Sequence, residues 1–349
     1  MRINLQWLKS LLLNRRDAIM LRWRIKFILA ALLFAGSAQA MEVNGDRRVL
    51  VMMLNFTNTA QPAYTQATVQ ARMASADAAI TEFSYGQAGL SYTVLNWQRM
   101  AIAAPASGCI LSTISAEGDR LAAAQGINLG NYDHKVYLLP PYSSSYCTAG
   151  EVNKLPGRVW YEGAAPPAAL THIAHELIHN FGSWHAHAWD CGATVLTPPC
   201  VSSEIGGYVD IMGSGVAGHP NAAIKESFGW LTATEADVSG DYTIRPLSQA
   251  GSAISLILAD GRSLYIEYRQ ATGLDAFLKN VTGSNLLRGL KLTVVETNGQ
   301  NYMLDMTPTS AQFTPDGALE VGKSWTHGDV TITCVSLNST QAIVRVRYQ

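Results

Sequence analysis

The sequence predicts a mixed α/β (α+β) domain followed by an all-β sandwich. Three observations predict it. A strand-like apolar run at Arg48–Phe56 leads into an Ala-rich, Gly-free stretch, Thr65–Phe83, suited to a helix. A second helical stretch near the middle of the chain, HELIHNFG, lies between further short strand patterns. From Asp241 onward the chain changes to short β-favouring segments separated by turn residues, with no helix longer than about two turns.

Taken in order, Arg48–Phe56 reads as a first strand and Thr65–Phe83 as a helix. Tyr92–Ile102 is a strand, Ile114–Ala124 a helix, and Lys135–Leu139 and Gly157–Tyr161 are short strands before the central helix. Alternating elements of this kind stack as a three-layer α/β arrangement. Beyond it YTIRPL, AISLILAD, SLYIEYRQ, LKLTVVE, NYMLDM, DVTITCV and AIVRVRY supply the strands of the sandwich. The expected divisions are residues 1–40, 41–237 and 238–349, the last boundary falling after GWLTATEAD.

The charge is uneven. Residues 1–40 carry seven Lys and Arg against one Asp, so the rest of the chain holds 18 basic and 25 acidic residues. Arg22, Arg24 and Lys26 precede the apolar run Phe27–Phe34, and an A-x-A end follows at Ala38–Ala40. These are the parts of a secretory signal cut after Ala40, with translation starting at Met1 or Met20. A membrane anchor is the rival reading, but the run is shorter than the roughly 20 residues that span a bilayer. The expected location is outside the cytoplasm, secreted or periplasmic, with no membrane insertion of the mature chain. An acidic remainder without a basic run gives no support for nucleic-acid binding.

Export makes disulfides the expectation for the five cysteines. Cys191 and Cys200 flank a short loop containing Pro198 and Pro199 and read as a staple; Cys109 and Cys147 form the natural second pair. Cys334 alternates with Val330 and Ile332 and reads as a buried free thiol in a strand.

The chemistry lies in HELIHNFGSWHA, residues 175–186. Residues four apart share a helix face, so His175 and His179 are spaced to hold one zinc ion through imidazole nitrogens. Glu176 points near the same edge and can reach a water at the metal without being a ligand. Gly182 suits the end of the helix, after which the chain can turn and bring His185 to the third corner. His187, two residues on, competes with His185 for that place, and the turn geometry favours His185. A buried helix whose histidines bond only to backbone is the bland alternative for any lone histidine, and four convergent residues argue against it.

HELIHNFGSWH resembles H-E-x-x-H-x-x-G-x-x-H, the signature of metzincin metallopeptidases. YVDIMGSG offers Met212 as the methionine turn beneath the metal. With NAAIKESFGWL, IEYRQATGLD and the β-rich tail, the chain resembles gametolysin-type (M11) peptidases from about Arg48 to its C-terminus. The resemblance implies a metzincin-like catalytic domain that holds Zn2+ by His175, His179 and His185, with Glu176 as general base and Met212 as an apolar floor. It implies a protein or peptide substrate, with 238–349 as an accessory domain. Ser214 stands where some metzincins carry a tyrosine, and Tyr208 reads as an ordinary packing aromatic. The alternative function is a cell-surface binding protein on the same scaffold, against which an intact Glu176 argues. His172 reads as a partly exposed helix residue or a partner of a ligand. His134, His219 and His327 read as surface or loop residues, and Asn55, Asn280 and Asn338 begin N-x-S/T triplets.

Overall fold

The computed structural model describes residues 42–143, 147–213, 218–250, 252–310 and 315–349. The expected signal, residues 1–40, and Ser214 lie outside the described residues.

β1 (Gly45–Asn55) is buried from Val49 to its end. Successive side chains of a strand point to opposite faces, and here the two faces serve different cores. Val49, Val51 and Met53 pack with Val69, Met73, Ile80 and Phe83 of α1 (Gln66–Phe83). Leu50, Met52 and Leu54 pack with Ile114 and Ala122 of α2 (Leu111–Ala124). A strand covered on both sides needs apolar residues at every position, which explains the unbroken run Val49–Leu54. α1 begins where the Thr65 hydroxyl accepts the N–H of Thr68 at 3.3 Å. Past its end, Gly86 takes φ +81° and its N–H reaches the Thr81 carbonyl at 2.8 Å.

β2 (Ala88–Arg99) and β3 (His134–Leu139) flank β1 in parallel. β4 (Ala149–Gly150) runs antiparallel to β5 (Gly157–Glu162), which is parallel to β3, giving the order β2-β1-β3-β5-β4 with β4 at an edge. The expected elements of this half are present. The strand expected at Tyr92–Ile102 covers Ala88–Arg99 because pairing with Gly45 and Asp46 carries Ala88 and Gly89, both poor strand formers, into the sheet.

Beyond β5 come β6 (Ala186–Asp190), β7 (Val201–Ser203), β8 (Thr234–Glu235) and β9 (Gly240–Ile244). β10 (Ile254–Ile257), β11 (Ser263–Tyr268), β12 (Gly289–Val295), β13 (Asn301–Leu304) and β14 (Leu319–Glu320) follow. The last strands are β15 (Ser324–His327), β16 (Val330–Leu337) and β17 (Ala342–Tyr348). One sheet has the order β7-β6-β13-β12-β11-β10-β8, with β14 also on β12; the other is β15-β16-β17-β9. One apolar cluster draws on both, from Ile266, Leu292 and Leu304 in the first to Ile332, Val344 and Val346 in the second. Cys334 is buried within it as a free thiol.

The larger sheet runs across the division expected near Val238. β6, β7 and β8 come from before it, and β6 lies parallel to β13, with Ala186 opposite Asn301 and Trp189 opposite Leu304. Pairing between segments so distant in sequence leaves no local periodicity to read. Met41–Gln349 forms one compact unit. Among the described residues, no helix is long and apolar enough to cross a membrane.

Candidate metal centre

After Pro166 and Pro167 the chain enters a π-helical turn, Ala169–Ala174, that continues into α3 (His175–Phe181). The sequence reading placed His175 and His179 one turn apart on this helix, and their rings meet edge to face at 4.8 Å between centroids. Gly182 then takes φ +121°, a conformation open to glycine. Its N–H reaches the His179 carbonyl at 2.9 Å, and the Ser183 N–H reaches Ile178 at 3.2 Å. The turn delivers His185, whose ring centroid lies 4.8 Å from that of His179 and 5.5 Å from that of His175. One ligand atom from each of the three histidines lies within 4.8 Å of the others.

Each ring is oriented through Nδ1. That atom of His175 lies 2.7 Å from the Ile211 carbonyl, and that of His179 lies 2.8 Å from the Ser183 carbonyl. His185 Nδ1 is 3.2 Å from Oε1 of Glu204. A ring that donates from Nδ1 keeps the lone pair on Nε2, the tautomer a metal requires. Burial, then the neighbouring histidines, holds His175 down at about 4 and His179 at about 3, so both are neutral near pH 7. Three imidazoles converging in this way fit zinc.

Glu176 is buried beside them, and its Oε2 has no hydrogen-bond partner among the described residues. Burial lifts its carboxyl to about 7, against the lowering effect of the Gly150 N–H on β4. A Cβ at Gly150 would fall 2.8 Å from Glu176 Oε2 and 2.7 Å from the Glu176 carbonyl, so the close approach of strand and helix requires glycine there. Asn180, fully buried, ties the helix to the sheet by donating to the carbonyls of Glu151 (2.6 Å), just past β4, and of Arg158 (3.1 Å) in β5.

Met212 is fully buried in the cluster that holds Leu177, Ile178 and Phe181. Its turn is pinned by Asp210, which accepts from the N–H of Met212 at 2.9 Å and from the backbone and side-chain N–H groups of Asn221, both at 2.8 Å. The Met212 carbonyl accepts from Ala186 at 2.8 Å, and the preceding Ile211 carbonyl faces His175. The turn therefore touches the chain of one histidine and the ring of another. Asn221 passes the network to Asn301 of β13 at 2.7 Å. Tyr208 is partly buried against Ala188, Val209 and Leu278.

His187 does not join the trio. It lies in β6 and stacks on Tyr302 at 5.0 Å. His172 accepts the Ala168 N–H and packs on Tyr161 at 4.9 Å. The reading of His134 and His219 as surface residues is corrected: both are fully buried. His134 pairs with Asn180 at 3.1 Å, and His219 bridges Glu82 and Lys225, partners whose proximity only the tertiary fold creates. His327 is partly exposed and stacks on Trp325. Asn55, at the head of an N-x-T triplet, is buried and bonded to Thr59. Both expected disulfides are present, Cys109–Cys147 and Cys191–Cys200. Glu204, Asn180, Asp210 and Asn301 escaped the sequence reading, since no motif marks them.

The chain matches the family model of gametolysin peptidase M11 over residues 48–321. No curated protein matches it. Among solved structures it is similar to metalloproteinase-II from Bacteroides fragilis, with 14% identity and a TM-score of 0.27, over 44% of this chain and 50% of that one. It thus spans about half of that structure's length. It is also similar to wild-type OgpA from Akkermansia muciniphila, with 11% identity and a TM-score of 0.35, over 77% of this chain and 94% of that one. Both likenesses are remote, whereas the family match takes in most of the chain, from the first core strand through the histidine cluster to β14. The chain belongs to the gametolysin family of metal-dependent peptidases.

Proposed function

We propose that this protein is an exported zinc endopeptidase that cleaves extracellular or cell-wall proteins, with Glu176 as its general base. One observation carries the reading: a buried carboxylate with an unpartnered oxygen sits beside three histidines whose Nδ1 atoms are all engaged. His175, His179 and His185 would hold the ion. When bound, the metal supplies a Lewis acid that acidifies a water and polarises the scissile carbonyl.

The protein's own groups do the rest. Glu176 Oε2 takes the proton of the attacking water and returns it to the leaving amine. Low exposure keeps bulk water from competing for that oxygen. β4 is an edge strand, and its Gly150 lies against Glu176. An extended substrate pairing with the free edge of β4 would run its backbone past the base. Met212 supports the centre from the apolar side, in the manner of a metzincin methionine turn. Residues 41–237 contribute the catalytic groups, and 238–349 most of the strands of the two remaining sheets.

The test uses the exported protein with casein as substrate, with and without a chelator, alongside Glu176→Ala. The variant should keep about one zinc per chain while turnover falls by roughly 10²–10⁴-fold. Turnover that survives chelation, or that Glu176→Ala leaves intact, would overturn the assignment. A protein that holds zinc and cleaves nothing would support a binding role instead.

A further inference from the structure

The three histidines are not held alike. His175 and His179 are oriented by main-chain carbonyls, whereas His185 faces a side-chain carboxylate, Glu204, that is three-quarters exposed. Glu204 directly follows β7, and β7 is a three-residue strand that, among the described residues, pairs only with β6, with Asp190 opposite Val201 and Ala188 opposite Ser203. So short a strand has little hold of its own, and its first residue, Val201, is 72% exposed. β6, by contrast, is fixed on its other side by β13. At the closed end of the β6–β7 hairpin stands the Cys191–Cys200 disulfide, immediately outside the Asp190–Val201 pair. The bridge fixes β7 at one end while Glu204 meets His185 at the other.

We propose that Glu204, kept in place by the disulfide-closed hairpin, positions the third histidine and sets how tightly the centre holds its metal. A carboxylate accepting from Nδ1–H fixes the ring's orientation and tautomer and makes Nε2 a stronger donor. Because Glu204 is exposed, part of this effect is screened by salt. Loss of the bridge frees the edge strand but not β6, so it acts on the metal through Glu204 and not through the position of the His185 backbone.

The inference rests on His175, His179 and His185 being metal ligands, so zinc content of the unaltered protein is measured first. Zinc affinity is then measured by competition with a chromophoric chelator for the parent, Glu204→Ala, Glu204→Gln, Cys191→Ser/Cys200→Ser and the triple variant. Glu204→Ala should weaken binding by about 10-fold, the lower end of the range for such partners. Glu204→Gln, which keeps an acceptor oxygen, should recover part of the loss. The double serine variant should weaken binding in the parent and add nothing once Glu204 is gone, the signature of a shared route. Raising salt should weaken the parent more than Glu204→Ala, and the metal-free melting transition of Glu204→Ala should match the parent. Equal affinity in Glu204→Ala and the parent, or full additivity of the two changes, would overturn the proposal while leaving the ligand assignment intact. A parent that binds no zinc would overturn both.

Discussion

Asp210→Ala should damage the site from a residue that touches no ligand. The carboxylate is fully buried and accepts three hydrogen bonds, from the N–H of Met212 and from the backbone and side-chain N–H groups of Asn221. Removing it does not orphan all three donors equally, since the Asn221 side chain also donates to Asn301 Oδ1 at 2.7 Å. Two backbone N–H groups are left without acceptors in the interior, each costing about 1–3 kcal/mol, so the expected loss is about 2–6 kcal/mol. That is a large part of a typical domain's stability of about 5–15 kcal/mol. It should be read as a lower denaturant midpoint of the metal-free protein. Zinc affinity should fall as well, because the Ile211 carbonyl that orients His175 belongs to the same turn. A midpoint within about 0.5 kcal/mol of the parent, the range of ordinary surface substitutions, would refute the view that Asp210 anchors the turn.

Two further outcomes are expected. His185→Ala should lose zinc and proteolysis. His187→Ala should keep its metal while losing some stability through the lost stack on Tyr302, and metal analysis of the two purified variants separates them. Burial acts to raise the Glu267 carboxyl, but Arg269 and Lys291 outweigh it and hold it at about 2, below its ordinary 4.5. A depressed carboxyl stabilises the fold above its unfolded value, so this contribution is complete above about pH 4.5 and disappears as pH falls through about 2. Denaturant midpoints of Glu267→Gln should therefore vary less than the parent's between those limits, and identical pH dependence would contradict it.

The parts of the site legible in the sequence are those built within one turn of chain. His175 and His179 follow from helix spacing, Gly182 from the need to end the helix, and His185 from the short return. The apolar runs of the first half announced their strands because both faces of β1 are covered. What stayed hidden depends on distant partners. Glu204 is an unremarkable surface glutamate until β7 lies against β6. Asp210, Asn221 and Asn301 become a network only when β13 arrives beside β6, and His134 and His219 are buried by residues that share no local pattern with them. The β-rich second half was read from turn spacing, yet that spacing could not say that one of its sheets would accept three strands from the first.

The parallel pairing of β6 with β13 also sets an order of events. The strand leaving His185 lies on Asn301–Leu304, residues made long after it. A chain completed only as far as β12 has the helix with His175 and His179, but not the strand that fixes the departure of the third histidine. Its Asn221 side chain likewise lacks the Asn301 oxygen that helps to hold it under the methionine turn. Placement of the third histidine thus waits on a strand synthesised long after its own segment, so the histidine cluster is not fully fixed on a chain that has yet to reach β13.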